Sequence, residues 1–164
     1  MKIAIYGQSK DEISVKIFSE LLTIAKNKNH QIIVEENFNS IINQNHKNIV
    51  FNNFSHLDNS IDLMITIGGD GTLLRSITYV RDLEIPIMGI NSGRLGFLAT
   101  MSQKKLNSEL IKVLEGNYKL EERSLLQVEV ENYSNFSDFN YALNEVSVGR
   151  ENTTSMIEIK TNLD

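Results

Sequence analysis

The sequence predicts an α/β fold: a parallel-sheet N-terminal domain followed by the beginning of a mainly β second domain. In residues 1–100, short apolar runs alternate with amphipathic stretches. The run at residues 61–67 is mostly apolar, as expected for a parallel strand that is buried on both faces. Beyond this part, stretches of period-two alternation are typical of strands with one solvated face. We therefore expect one domain at residues 1–100 and a second, truncated domain at residues 101–164.

The elements expected in the first domain follow one another with short turns. The expected strands lie at residues 3–6, 31–34, 49–51, 61–67 and 87–90. The first expected helix follows the first strand, since apolar residues recur there at helical spacing at Ile13, Ile17, Leu21 and Ile24. A second expected helix covers residues 72–80. The rest of residues 37–59 is rich in Asn, Ser and His, which indicates polar surface.

The second domain begins with a different pattern. Residues 102–115 predict a helix that ends at Gly116, a residue typical of helix C-caps. Residues 126–130 alternate apolar and polar side chains, and the turn residues at 132–138 predict a long hairpin. Three strand-like stretches without a closing element would leave edges and apolar surface exposed. Either partner chains cover this surface or the chain is a fragment, and we expect a fragment.

Composition excludes several classes of protein. The chain has 164 residues, of which 41% are hydrophobic and 23% charged, as in globular domains. The net charge of −5 argues against a nonspecific nucleic-acid binder, which usually has a basic face. Cysteine is absent, so disulfides and thiolate metal sites are excluded. No apolar run is long enough to span a bilayer. We expect a cytoplasmic protein with neither nucleic acid nor membrane as a partner.

A glycine-rich turn lies between a predicted strand and a predicted helix. Residues 64–77 read MITIGGDGTLLRSI, with Gly69 and Gly71 on either side of Asp70. Backbone N–H groups of such a turn can bind phosphate, because no side chain blocks the approach. Neither the P-loop pattern nor the G-x-G-x-x-G dinucleotide fingerprint is present. A structural turn in which Asp70 caps the helix explains the pattern about equally well.

The carboxylate of Asp70 favours a functional interpretation of this turn. A carboxylate beside phosphate groups is repelled by their like charge. The arrangement makes sense where a divalent metal ion is bound, or where the carboxylate accepts a proton from an attacking hydroxyl; both occur in phosphoryl transfer. With Mg²⁺ and backbone amides balancing the phosphate charge, no lysine is needed. We expect Asp70 to orient and deprotonate the acceptor hydroxyl.

A second polar loop follows the last predicted strand of the first domain. Residues 86–100 read PIMGINSGRLGFLAT, and the loop starts at Asn91. Loops at the carboxyl ends of neighbouring parallel strands line the ligand crevice of an open sheet. This loop and the glycine turn can therefore face one ligand. Phe97 either stacks on a base or nicotinamide ring, or belongs to the core of an interdomain hinge.

Three further residues are weaker candidates. Arg75 is one helical turn beyond the glycine turn and could reach a phosphate, although an exposed helix arginine explains it somewhat better. Asn144 and Glu145 stand together in an expected strand of the second domain. An amide beside a carboxylate offers donors and acceptors for a ribose diol and an adenine edge. Taken alone, a solvent-facing Asn–Glu pair at a bulge is the simpler explanation.

Together these motifs resemble the NAD kinase family. Its pattern is Gly-Gly-Asp-Gly-Thr after a strand, then Asn-x-Gly-x-Leu-Gly-Phe-Leu, then Leu-Asn-Glu in the second domain. In this chain the motifs occupy residues 68–72, 91–98 and 143–145. The first motif is shared with diacylglycerol and sphingosine kinases, whereas the second and third at these spacings are more specific. The resemblance covers essentially the whole chain.

The resemblance implies transfer of the terminal phosphate of ATP to the 2′-hydroxyl of the adenosine ribose of NAD, with Mg²⁺ or another divalent metal. It also implies that Asp70 is the proton acceptor. The residues expected to bind the nucleotides are Gly69, Asp70, Gly71, Thr72, Arg75, Asn91, Phe97, Asn144 and Glu145. Family members are usually homodimers or homotetramers.

Members of this family continue beyond the Asn-Glu motif into a glycine- and threonine-rich segment and a final helix. We therefore expect this chain to be an N-terminal portion with little or no kinase activity by itself. Three alternatives stay open: a diacylglycerol- or sphingosine-type lipid kinase, a noncatalytic nucleotide-binding module, and an inert structural domain.

Overall fold

The computed structural model describes residues 1–42, 49–51, 57–93, 96–102, 105–132, 139–150 and 156–162. The chain forms two compact units, Met1–Glu121 and Glu122–Asp164. The strands are β1 (Lys2–Gly7), β2 (Gln31–Glu35), β3 (Ile49–Phe51), β4 (Leu63–Gly68), β5 (Ile87–Asn91), β6 (Met101–Ser102), β7 (Leu126–Gln127) and β8 (Tyr141–Ala142). The helices are α1 (Glu12–Asn27), α2 (Glu36–Ile42), α3 (Asp70–Val80) and α4 (Leu106–Leu114). Over the described part of the chain, no helix is long and apolar enough to cross a membrane.

The first unit is built around a six-stranded sheet with the strand order β3-β2-β1-β4-β5-β6. All neighbouring strands in it are parallel. In this doubly wound order the direction in which strands are added reverses between β1 and β4. Ligands of such sheets bind at the carboxyl ends of the strands next to the reversal. The glycine turn follows β4 directly, so the topology puts it at that edge.

Alternate residues of the strands face two apolar cores on opposite sides of the sheet. Ile3 and Ile5 of β1 belong to the core that α1, α2 and α4 cover. Ala4 and Tyr6 belong to the other core, together with Val80 at the end of α3. Every residue of β4 is buried, which explains its nearly continuous apolar sequence. The predicted α/β class with a parallel sheet is confirmed.

Helix α2 lies in a region that was expected to be polar surface. Only two of its seven residues are buried, Phe38 and Ile42, so its composition does not show the usual apolar stripe. Phe38 is fully buried and packs edge-on against Phe18 of α1, with ring centroids 5.9 Å apart. The expectation was therefore wrong for this segment, because one large aromatic side chain holds the short helix on the sheet.

The buried face of α1 also differs from the expectation at its first turn. Ile13 is 43% exposed, whereas Ser14 is fully buried. Asp11 is the N-cap of α1 and accepts hydrogen bonds from both the N–H and the hydroxyl of Ser14. Burial of Ser14 is tolerated because these polar groups are paired. Ile17 and Leu21 are buried as predicted.

The first unit extends past the expected boundary near residue 100. β6 pairs with β5, and Leu106 of α4 lies in the core that α1 covers. Helix α4 ends at Leu114 with Glu115 as its C-cap, one residue before the predicted position, and Gly116 follows with a left-handed φ of 81°. The N–H of Asn117 donates to the carbonyl of Lys112 at 2.8 Å, which completes a Schellman motif.

The second unit contains an antiparallel hairpin in which Leu126 of β7 faces Ala142 of β8. The predicted pairing is confirmed over shorter strands than expected. Residues 133–138 of the expected turn lie outside the described residues. Residues 156–162, which are described, form no strand. Several large apolar side chains of this unit are exposed, including Val148.

Candidate active site

Asp70 stands where β4 gives way to α3. Gly68 is the last residue of β4, Gly69 is the N-cap, and Asp70 is the first residue of the helix. The N-cap, Gly69, has no side chain that could cap α3 by a hydrogen bond. The interpretation of Asp70 as a helix cap is therefore wrong, because its carboxylate turns towards a different loop.

The carboxylate of Asp70 accepts three backbone hydrogen bonds from the loop that follows β5. The N–H of Phe97 donates to Oδ2 at 2.8 Å. The N–H groups of Leu98 and Ala99 both donate to Oδ1 at 2.9 Å. The glycine turn and the second loop thus meet at one carboxylate, as expected for loops at the carboxyl ends of neighbouring strands.

These hydrogen bonds stabilise the ionised form of Asp70. The N–H of Ala99, followed by those of Phe97 and Leu98, holds the pKa of the Asp70 carboxyl below its usual range. Donors directed at the ionised form favour it, and the N-terminus of a helix also favours negative charge. Asp70 is therefore ionised at neutral pH and can accept a hydrogen bond from a hydroxyl. The lowered pKa makes it a weak base, better suited to orienting a hydroxyl than to retaining its proton.

Two glycines at this site leave space that the structure uses. A Cβ on Gly68 would lie 2.2 Å from Oγ1 of Thr72, whose side chain is buried beside the turn. A Cβ on Gly96 would lie 2.2 Å from Oδ1 of Asp70. Both distances are shorter than real Cβ contacts, so these glycines permit the observed packing. No signal in the sequence marks Gly96 as a site residue, because only the fold brings it to Asp70.

Gly69 and Gly71 differ from those two glycines. A Cβ on either would meet no atom within 4 Å, so packing does not require glycine there. The first N–H groups of a helix have no partner within it. The backbone surface at Gly69 and Gly71 is thus open, and an anion can approach the N-terminus of α3 across it.

Asn91 and Phe97 occupy contrasting positions in the second loop. Asn91 is buried; its Nδ2 donates to the carbonyl of Ala99 at 3.3 Å, and its Oδ1 accepts from the N–H of Gly93 at 2.8 Å. Its amide therefore braces the loop. Phe97 is 94% exposed, which does not match the interpretation of this ring as hinge core. Its aromatic face is available for stacking.

A sequence profile of the ATP-NAD kinase N-terminal domain matches residues 3–118. The chain belongs to the NAD kinase family. The match includes the sheet of the first unit from Ile3 onward, the glycine turn and the loop that holds Asp70.

Individual relatives agree with the NAD kinase assignment. The chain is 44% identical to the NAD kinase of Christiangramia forsetii and 41% identical to that of Flavobacterium psychrophilum, over 100% of this chain and 58% of each relative. It therefore spans little more than half the length of these curated relatives. A crystal structure of yeast NADH kinase complexed with NADH superposes with a TM-score of 0.66 and 20% identity, covering 88% of this chain and 47% of that one. This likeness shows that the fold is shared.

In this member of the NAD kinase family, Arg75 is tied to the sheet. Its guanidinium acts electrostatically on the hydroxyl of Tyr6 of β1, whose ring centroid lies 5.2 Å from that of Tyr79. Burial raises the pKa of Tyr6 to about 12, with Tyr79 adding to the rise and Arg75 opposing it. The hydroxyl of Tyr79 in turn interacts with Glu35, a carboxylate that is 2% exposed. No short sequence pattern predicts this cluster, in which Arg75 interacts with a side chain of the sheet.

Asn144 and Glu145 lie in the second unit, after β8 rather than within a strand as expected, and both are exposed. Exposure leaves their polar groups accessible. Arg94 and Leu95 of the second motif lie outside the described residues. Among the described residues, no group of three or more His, Cys, Asp or Glu side chains could hold a metal ion.

Proposed function

We propose that the natural protein is an NAD kinase, which transfers the terminal phosphate of ATP to the 2′-hydroxyl of the adenosine ribose of NAD. The observation that carries this proposal is the Asp70 carboxylate, ionised and held by three N–H donors beside the open glycine turn. Membership of the NAD kinase family supports the choice of substrates. The turn alone would suit several kinds of kinase.

In this proposal the ATP phosphates approach the open surface at Gly69 and Gly71. Asp70 accepts a hydrogen bond from the ribose hydroxyl and takes its proton as the hydroxyl oxygen bonds to the terminal phosphorus and the bond to ADP breaks. Phosphoryl transfer depends on positioning and charge more than on a strong base, so a carboxylate of low pKa suits the step. Thr72 and Asn91 contribute by holding the turn and the loop.

The dinucleotide contacts are proposed from exposure and chemistry. The exposed ring of Phe97 would stack on a base or on nicotinamide. Asn144 and Glu145 would bind the adenosine or ribose part of NAD, which makes the second unit part of a β-rich NAD-binding domain. Arg75 has a lesser part, because its guanidinium already interacts with Tyr6.

We propose that the divalent metal binds together with the substrate ATP. The described residues offer no cluster of three metal-binding side chains. They therefore do not fit a metal ion that stays bound to the protein without substrate. Mg²⁺ is commonly held by substrate phosphates together with one or two carboxylates. It would arrive with the ATP phosphates. A cytoplasmic location and a homodimeric or homotetrameric state are proposals that rest on the family resemblance.

An acceptor assay on the natural protein tests the function. The protein is incubated with ATP, Mg²⁺ and NAD, and NADP is measured with an NADP-specific dehydrogenase, beside parallel reactions with diacylglycerol and sphingosine. We expect NADP and no phosphorylated lipid. Lipid phosphorylation without NADP would support a lipid kinase instead, and nucleotide binding without any turnover would indicate a noncatalytic module.

A further inference from the structure

Gly96 lies directly against the reactive carboxylate. A Cβ on Gly96 would stand 2.2 Å from Oδ1, 2.5 Å from Cγ and 2.7 Å from Oδ2 of Asp70. Any side chain at this position would force the carboxylate or the loop to move. Gly93 belongs to the same loop, yet a Cβ there would meet nothing within 4 Å. The loop therefore contains one glycine that Asp70 requires and one that it does not.

The hydrogen bonds of Asp70 distinguish its two oxygens. An ionised carboxylate has about four acceptor positions, two on each oxygen. Oδ1 uses both for the N–H groups of Leu98 and Ala99, whereas Oδ2 uses one for the N–H of Phe97. Among the contacts of the described residues, one acceptor position is therefore left, and it is on Oδ2.

We propose that Gly96 is a positioning residue for the reaction: it lets residues 97–99 close on Asp70, so that the carboxylate is fixed and Oδ2 alone accepts the hydrogen of the acceptor hydroxyl. The inference rests on the proposed kinase function and deepens it. Three bonds hold one rotamer of Asp70 before the substrate arrives, so less freedom is lost when the reacting groups align. The low pKa of Asp70 agrees with this arrangement, since the same donors cause it.

Because Asp70 is also bonded to the loop, the substitution Asp70→Asn has two effects at once. In Asp70→Asn an NH₂ group replaces one carboxylate oxygen and meets a backbone N–H of the loop, donor against donor. The substitution removes the proton acceptor and an anchor of the loop together. A variant that keeps the carboxylate but displaces it is needed to separate the two effects.

Gly96→Ala in the natural protein is that variant. We expect amide hydrogen exchange at Leu98 and Ala99 to become roughly tenfold faster or more, because hydrogen bonds to charged groups are the stronger ones. We expect kcat for NADP formation to fall by roughly 10²-fold or more, with KM for NAD and ATP little changed. Gly93→Ala makes the same chemical change in the same loop and should leave both measurements as in the wild type.

A double variant covers the case in which Gly96→Ala does not fold. In Asp70→Ala/Gly96→Ala the clashing carboxylate is gone, so this protein should fold and exchange at Leu98 and Ala99 as Asp70→Ala does. Such non-additivity is the sign of direct coupling between the two positions. An effect of Gly96→Ala that persists without the carboxylate would contradict the coupling.

Two results with an active wild type would overturn the proposal: unchanged exchange at Leu98 and Ala99 in Gly96→Ala, or faster exchange with an unchanged kcat. A wild type that forms no NADP would instead refute the kinase function. In that case the exchange data would still report whether Asp70 holds the loop, so the two failures are distinguishable.

Discussion

The turns after β1 and β4 flank the reversal of the sheet and use an aspartate in different ways. Asp11 is the N-cap of α1, and its Oδ1 accepts from the N–H of Ser14 at 2.8 Å, three residues along the chain. Asp70 is the first residue of α3, and its partners are 27 to 29 residues away. Gly69 occupies the N-cap position of α3, so the side chain of Asp70 does not cap the helix. One carboxylate thus caps a helix, while the other connects two loops.

The pKa values alone do not separate these two aspartates. The pKa of Asp11 is lowered chiefly by the hydroxyl of Ser9, with further donors from Ser14. That of Asp70 is lowered by backbone N–H groups, led by Ala99. Both carboxylates are ionised at neutral pH. The two aspartates differ in where their donors come from. The donors to Asp11 belong to its own turn and helix, whereas the donors to Asp70 belong to a loop that is distant in sequence.

The largest expected effect is on turnover. Asp70→Asn should lower kcat for NADP formation by roughly 10²–10⁴-fold, the range typical of a lost general base. Asp11→Asn makes the same substitution at the other turn and should leave kcat almost unchanged, since Asn caps helices about as well as Asp. Steady-state kinetics with NAD and ATP measures both. Similar losses in the two variants would contradict the functional difference between the turns.

The second-largest expected effect is on the free energy of unfolding. It distinguishes a glycine packed against another side chain from a glycine with free space beside it. Gly68→Ala should lower the free energy of unfolding by about 1–3 kcal/mol, as overpacking does, because its Cβ would lie 2.2 Å from Oγ1 of Thr72. Gly71→Ala should raise it by about 0.5–1 kcal/mol, since alanine favours the helix and its Cβ meets nothing.

Urea unfolding of the two glycine variants measures whether the free energy of unfolding rises or falls in each. Calorimetry with ATP measures the loss of nucleotide affinity. We expect Gly71→Ala to be the more stable protein and the poorer nucleotide binder. A stabilised variant with full affinity would remove the functional reason for glycine at this position.

Local features of this molecule could be predicted from the sequence, whereas hydrogen-bond partners that are distant in sequence could not. The first five strands, the glycine turn and the glycine that follows α4 can be derived from short patterns. The meeting of the two loops follows from parallel topology, but the hydrogen bond that the N–H of Ala99 donates to Asp70 depends on register. Gly68 is paired with Asn91 in the β4–β5 ladder, which sets the two loop starts side by side. Nothing in the spacing of residues 68–99 shows this pairing.

The smallest effect tests the other turn, through Asp11→Ala. At neutral pH this variant should lose about 1 kcal/mol of unfolding free energy, the usual cost of an N-cap. The folded-state pKa of Asp11 is below its ordinary value of 3.8, chiefly through Ser9. Its contribution is therefore fully present above the ordinary value and is lost as the pH falls through the folded-state value. The stability gap between the wild type and Asp11→Ala should accordingly be constant near neutrality and close in strongly acidic solution.

The gap is the informative quantity, because Asp58 and Asp70 also have lowered pKa values and titrate in both proteins. Urea unfolding of the wild type, Asp11→Ala and Asp11→Asn at a series of pH values measures it. Asp11→Asn has no carboxyl at this position, so its difference from Asp11→Ala should stay nearly the same at every pH. A wild-type gap that persists once carboxyl groups are protonated would mean that the charge of Asp11 contributes nothing, and the two turns would then differ in geometry alone.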